Sequence, residues 1–102
     1  MNEVNFEEAM ALIIHSGNAK SLAMEALQHA KKKDFAEAEE KLYQASSEIT
    51  LAHKEQTKLL TKEASGEISQ FSLLIVHSQD HLMTAMTFID LVKEIIDIYR
   101  EL

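Results

Sequence analysis

Only two glycines, Gly17 and Gly66, and no proline interrupt this chain of 102 residues. Tight turns need residues that accept positive φ or pre-set a bend. A chain so poor in them has few places to reverse direction, so it predicts a few long helices. The spacing of apolar residues agrees. Phe6, Met10, Ile13, Ile14, Ala19, Leu22, Ala23, Ala26 and Leu27 recur at helical gaps. Asn5 and Glu8 fit a capping box at the start of this helix, and Lys31, Lys32 and Lys33 complement the negative end of its dipole. Gly17 within it suggests close approach of another backbone. Asp34-Phe35-Ala36-Glu37 reads as a second capping box, opening a helix from Phe35 to about Ala64. The inner stripe of this helix is Phe35, Ala38, Leu42, Ala45, Ile49, Ala52 and Leu59 or Leu60.

Ser65-Gly66 forms the last link, with Gly66 suited to a left-handed cap. A third helix is expected from about Glu67 to Arg100. Its main stripe is Phe71, Ile75, Ser78, Leu82, Ala85, Ile89, Val92, Ile96 and Tyr99, with alternating gaps of four and three. A second stripe runs through Leu74, Ala85, Phe88, Val92, Ile95 and Leu102, and a third through Leu73, Val76, Met83, Leu91 and Ile98. A helix that is apolar nearly all round must be covered on several sides. Two short partner helices do not suffice, so helix three is expected at the centre of a homo-oligomer, against symmetry-related copies of itself. The fold expected is all-α: one domain over residues 1–102, an antiparallel three-helix bundle.

Composition narrows the function. With no cysteine there is no disulfide framework, thiolate zinc site or cysteine nucleophile. A formal charge of −7 disfavours nucleic acid and anionic membrane surfaces as partners. No apolar run approaches the ~20 residues that span a bilayer. The acidic start, with Glu3, Glu7 and Glu8, does not read as a signal peptide. A cytoplasmic protein is expected.

The polar residues that need a reason are His77, Asp80 and His81, set in the most apolar part of the chain. At i and i+4, the two histidines share a helix face, and Asp80 lies on the adjoining one. Several readings compete. The pair can be ordinary core histidines. It can bind a metal, although no third ligand is obvious. A serine–histidine hydrolase lacks any visible nucleophile elbow. Finally, a neutral imidazole can accept a phosphoryl group on one ring nitrogen while a hydrogen bond to the other fixes the tautomer. Such a site needs hydrogen-bond donors, and Gln79, Thr84 and His81 are candidates, as are residues of neighbouring helices. Within helix two, the polar block His53, Lys54, Gln56, Thr57 and Lys58 is either a solvated face or, in part, the border of this patch.

Val76-His77-Ser78-Gln79-Asp80-His81-Leu82-Met83-Thr84 closely resembles the VHAQDHLMT signature of the IIA component of the bacterial sugar phosphotransferase system, lactose/cellobiose (chitobiose) class. Ile14 to Ala26, Ala52 to Thr57 and Lys62 to Glu67 match as well, so the resemblance spans essentially the whole chain. Ser78 departs from the alanine of the signature. The resemblance implies a homotrimer of three-helix subunits. It implies that His77 accepts a phosphoryl group from the phosphocarrier protein HPr and hands it to a cysteine of the cognate IIB protein or domain. Asp80 of each subunit would share one divalent cation, magnesium, on the trimer axis; a hard cation resolves the repulsion of three buried carboxylates. His81 and Gln79 would support the phosphate, with His53 at the rim. The alternative is a non-catalytic oligomeric helical protein with a His/Asp metal site. The transported sugar is not encoded here, because a IIA component never touches sugar.

Overall fold

A computed structural model describes residues 3–68 and 72–102. Three helices follow in order: α1 (Glu3–Lys31), α2 (Phe35–Ala64) and α3 (Leu73–Glu101), with no strand among the described residues. They form a rod of 52 × 18 × 16 Å. At 29, 30 and 29 residues the helices are nearly equal in length, so the partners of α3 are not short.

Local chemistry sets the ends. Lys33 takes φ 64°, and the Asp34 N–H donates to the His29 carbonyl at 2.9 Å, a six-to-one closure of the kind glycine usually provides. Asp34 then caps α2 by accepting from the Glu37 N–H at 3.4 Å. At the other end Gly66 takes φ 84°, and the Glu67 N–H reaches the Lys62 carbonyl at 2.8 Å. The cap at Asp34, the left-handed Gly66 and the whole span of α2 agree with the sequence reading; the left-handed Lys33 was not expected.

Two expected starts differ. α1 begins before Asn5, so that residue is helical and is not the cap. Glu8 does not reach back to the helix start. It is almost buried and accepts from Lys62 Nζ of α2 at 2.7 Å, because an opposite charge across the bundle outweighs a solvated backbone donor. α3 begins six residues later than expected. Ser72 caps it by accepting from the Ile75 N–H at 3.1 Å, and Ile68 packs sideways against the core of the bundle instead of continuing a helix. Phe71, expected in the main stripe, lies outside the described residues.

The core is built mostly from alanine. Ala19, Ala23, Ala26 and Ala30 of α1 meet Ala38, Leu42 and Ala45 of α2 and Ile89, Val92 and Ile96 of α3. Small side chains let helix axes approach closely, but each buries little apolar area. A second cluster joins Leu12, Ala52, Leu59 and Leu82. Leu59 is the inner residue of the Leu59/Leu60 pair; Leu60 is exposed. Gly17 approaches no backbone: a methyl group added there meets nothing within 4 Å.

α1 is the spine of the protomer. It runs along both other helices, whereas α2 and α3 meet over few residues. Between those two lie a cleft of about 380 Å³ that includes Tyr43, Lys93 and Asp97 in its walls and another of about 290 Å³ bordered by Ile49, Met86 and Asp90. Near their far ends, Arg100 of α3 pairs with Glu39 of α2 and lies 4.9 Å over the Phe35 ring. The main stripe of α3 is buried from Ile75 to Ile96. The third stripe faces out: Leu73, Val76, Met83, Leu91 and Ile98 are 46–85% exposed.

Two serines sit fully buried. Ser78 Oγ donates to the Ile75 carbonyl at 2.6 Å, so the hydroxyl added relative to the alanine of the signature is satisfied within its own turn. Ser16 Oγ has no hydrogen-bond partner among the described residues. Removing an unpaired buried hydroxyl recovers its desolvation cost, so Ser16→Ala is expected to stabilise the protein by about 1 kcal/mol. An upward shift of the urea midpoint at fixed protein concentration and unchanged slope is the readout; a downward shift would mean that Oγ is paired in solution.

Candidate phosphoryl-accepting site

The site grows from the first turns of α3. Ser72 fixes the helix start, and Ile75, Ser78 and Leu82 anchor its inner face, which turns His77 outward. The His77 ring is exposed, while His81, one turn on, is half-buried. Their Nε2 atoms lie 3.0 Å apart, with ring centroids at 4.4 Å and planes at 87°. An N–H···N contact needs one donor and one lone pair, so the two imidazoles hold complementary tautomers.

The His81 pKa lies below its ordinary value of 6.5. Partial burial is the largest cause; the charges of His77 and then Lys20 add to it, and Asp80 opposes. As pH falls through 6.5, the unfolded chain takes this proton before the folded one. Stability contributed by neutral His81 is therefore present above the unfolded value and lost as pH falls below it. Wild type is expected to lose more stability than His81→Gln on acidification from pH ~7 to ~5, measured as the difference in melting temperature. Equal losses would show that His81 does not report on this range.

The other expected residues divide. Gln79 is half-buried, and its Oε1 accepts from Gln56 Nε2 of α2 at 2.7 Å, which leaves its own NH₂ to donate elsewhere. Thr84 Oγ is not available as a donor to a ligand, because it bonds the Asp80 carbonyl at 2.9 Å and the His81 carbonyl at 3.3 Å. His53 is exposed on α2, and among the described residues no hydrogen bond joins it to the pair. Asp80 is exposed, and its carboxylate has no ion-pair or hydrogen-bond partner among the described residues. It interrupts the outward stripe between Val76 and Met83. Among the described residues no group of three His, Cys, Asp or Glu in one chain is placed to hold a metal.

Two neighbours were not singled out by sequence reasoning: Gln56, which ties Gln79 to α2, and Lys20, whose charge acts on His81 from α1. Gln56 was legible only as part of a polar block and Lys20 only as part of a matching segment.

A three-helix rod with a surface imidazole pair mounted on its third helix defines an all-α histidine protein. The chain belongs to the family described as the lactose/cellobiose-specific IIA subunit of the PTS system, which matches residues 7–100. The lichenan-specific phosphotransferase enzyme IIA component of Bacillus subtilis is 46% identical over 102 residues, covering 100% of this chain and 93% of the relative. A cellobiose-specific EIIA component of Lactococcus lactis is 51% identical over 87 residues, covering 85% and 75%. Among solved structures, the cellobiose-specific enzyme IIA of Bacillus anthracis superposes with a TM-score of 0.93 at 46% identity, covering 99% and 93%. The IIA(chitobiose)–HPr complex of Escherichia coli superposes with a TM-score of 0.84 at 40% identity, covering 99% and 97%. Among the described residues no helix is long and apolar enough to cross a membrane.

Proposed function

We propose that His77 is the phosphoryl acceptor of this IIA subunit, charged by phospho-HPr and discharged to a cysteine of a cognate IIB protein or domain in the cytoplasm. The observation that carries the reading is the exposed His77 ring with its Nε2 held 3.0 Å from that of His81. His81 in its neutral Nε2–H tautomer donates to His77, which leaves the His77 Nε2 lone pair unprotonated and places its proton on Nδ1. That lone pair attacks phosphorus in line, the bond from phosphorus to the donor breaks, and the His81 N–H, keeping its proton, shifts its hydrogen bond from the His77 nitrogen to a phosphoryl oxygen. The Gln79 NH₂ is a second donor within the same turns. The IIB thiolate then takes the group, and the P–N bond breaks back to a neutral His77. Positioning and hydrogen bonds carry the transfer, as they do in phosphoryl transfer generally. The structure of the chitobiose relative with HPr supports that donor.

Assembly completes the reading. Leu73, Val76, Met83, Leu91 and Ile98 form an exposed apolar line along α3 that three copies would bury against one another. Asp80 falls in that line, and a lone carboxylate there fits a ligand shared around an axis, not one completed within a single chain. A divalent cation, magnesium by its preference for carboxylate oxygen, would neutralise the three charges when bound. The relatives' names span lichenan, cellobiose, galactose, lactose and diacetylchitobiose at 41–51% identity, so similarity selects no sugar for this chain.

Incubation with phosphoenolpyruvate, Enzyme I and HPr is expected to add the mass of one phosphoryl group per chain, acid-labile and mapped to the peptide containing His77. An unmodified mass in an otherwise active system sinks the proposal.

A further inference from the structure

The same two nitrogens that define the proposed acceptor also stand near chelating distance. We infer that His77 and His81 together bind a borderline-soft divalent cation, zinc the type case, at a site separate from the Asp80 carboxylate, and that its occupancy blocks the acceptor. Two imidazoles on a tetrahedral zinc, each at 2.0–2.1 Å, stand about 3.3 Å apart at the ligating nitrogens. Here the Nε2 atoms are 3.0 Å apart, so an opening of a few tenths of an ångström suffices. The rings stand at 87°, and rotation about χ2, a broad torsion for histidine, turns both lone pairs onto one point. The helix turn fixes both ligands in advance, so the second nitrogen binds with little further loss of freedom. Neither ring has another hydrogen-bond partner among the described residues. Among the described residues of the chain no third protein ligand is in reach, so solvent completes the coordination and the ion exchanges.

Imidazole nitrogen separates this cation from magnesium, which prefers oxygen and keeps its water. A zinc ion on both Nε2 atoms occupies the lone pair that would attack phosphorus and replaces the N–H that would meet its oxygen. Phosphorylation and zinc therefore exclude each other, and the exclusion is reciprocal. The chelate stands on geometry alone; the block rests on the acceptor role proposed above.

The test titrates zinc into the full-length protein in excess magnesium while following the histidine ring carbon-bound proton signals. The signals of His77 and His81 are expected to move together at one equivalent. His77→Ala and His81→Ala are each expected to lose affinity by at least about tenfold, the usual scale for losing even an outer partner of a metal ligand. His29→Ala, which alters a ring elsewhere on the rod, is expected to bind as wild type does. Rings that stay still, or single variants that bind as tightly as wild type, overturn the site. With preformed phospho-HPr, labelling is expected to be lost on zinc loading and restored by a chelator, and phosphorylated protein to take up no zinc at these rings. Full labelling of zinc-loaded protein overturns the block. Absence of labelling without zinc fails the acceptor reading instead, and the ring signals still decide the chelate.

Discussion

His77→Ala is expected to take up no phosphoryl group from phospho-HPr while keeping its helical signal. The loss is complete because the substitution removes the nucleophile. The fold survives because an exposed ring whose one recorded contact is a neighbouring imidazole contributes little to stability, within about ±0.5 kcal/mol. His81→Ala, by contrast, removes one donor to the transferred group and is expected to slow labelling on the order of 10²-fold without abolishing it, the usual scale for one such donor. Single-turnover labelling by preformed phospho-HPr, with circular dichroism alongside, separates the two. Full labelling of His77→Ala would move the acceptor elsewhere, to His81 first.

The second large effect falls on assembly. Asp80→Leu turns the charge between Val76 and Met83 in the outward line of α3 into a residue like those two neighbours. The proposed trimer is expected to persist, to lose any dependence on divalent cations, and to gain about 1–4 kcal/mol, the range seen when buried charge gives way to apolar packing. Sedimentation with and without a chelator, joined to thermal melts, measures both. A monomeric Asp80→Leu protein would mean that the cation, not the apolar line, is the main source of association.

Much of this was legible because it depends on neighbours along the chain. Asp34 and Gly66 act through hydrogen bonds that reach three to five residues, so the bounds of α2 follow from local chemistry. The buried stripe of α3 follows from its alternating gaps of four and three. The features that escaped depend on partners distant in sequence. Glu8 looked like a capping residue until Lys62, 54 positions away, claimed its carboxylate. Gln56 stood between a solvated face and the border of the patch, and its bond to Gln79 of α3, 23 positions away, decides for the border. The start of α3 was hidden because nothing between Gly66 and Ser72 breaks a helix outright; a serine hydroxyl and the sideways packing of Ile68 set it. The pairing of the histidines was visible in their spacing, but which nitrogens meet was not.

Because α1 covers far more of the third helix than α2 does within one chain, the unassociated molecule keeps that segment mainly by one seam. Dilution should then soften it before heat does. Its melting point is expected to climb with concentration, so that turnover and folding draw on the same association equilibrium.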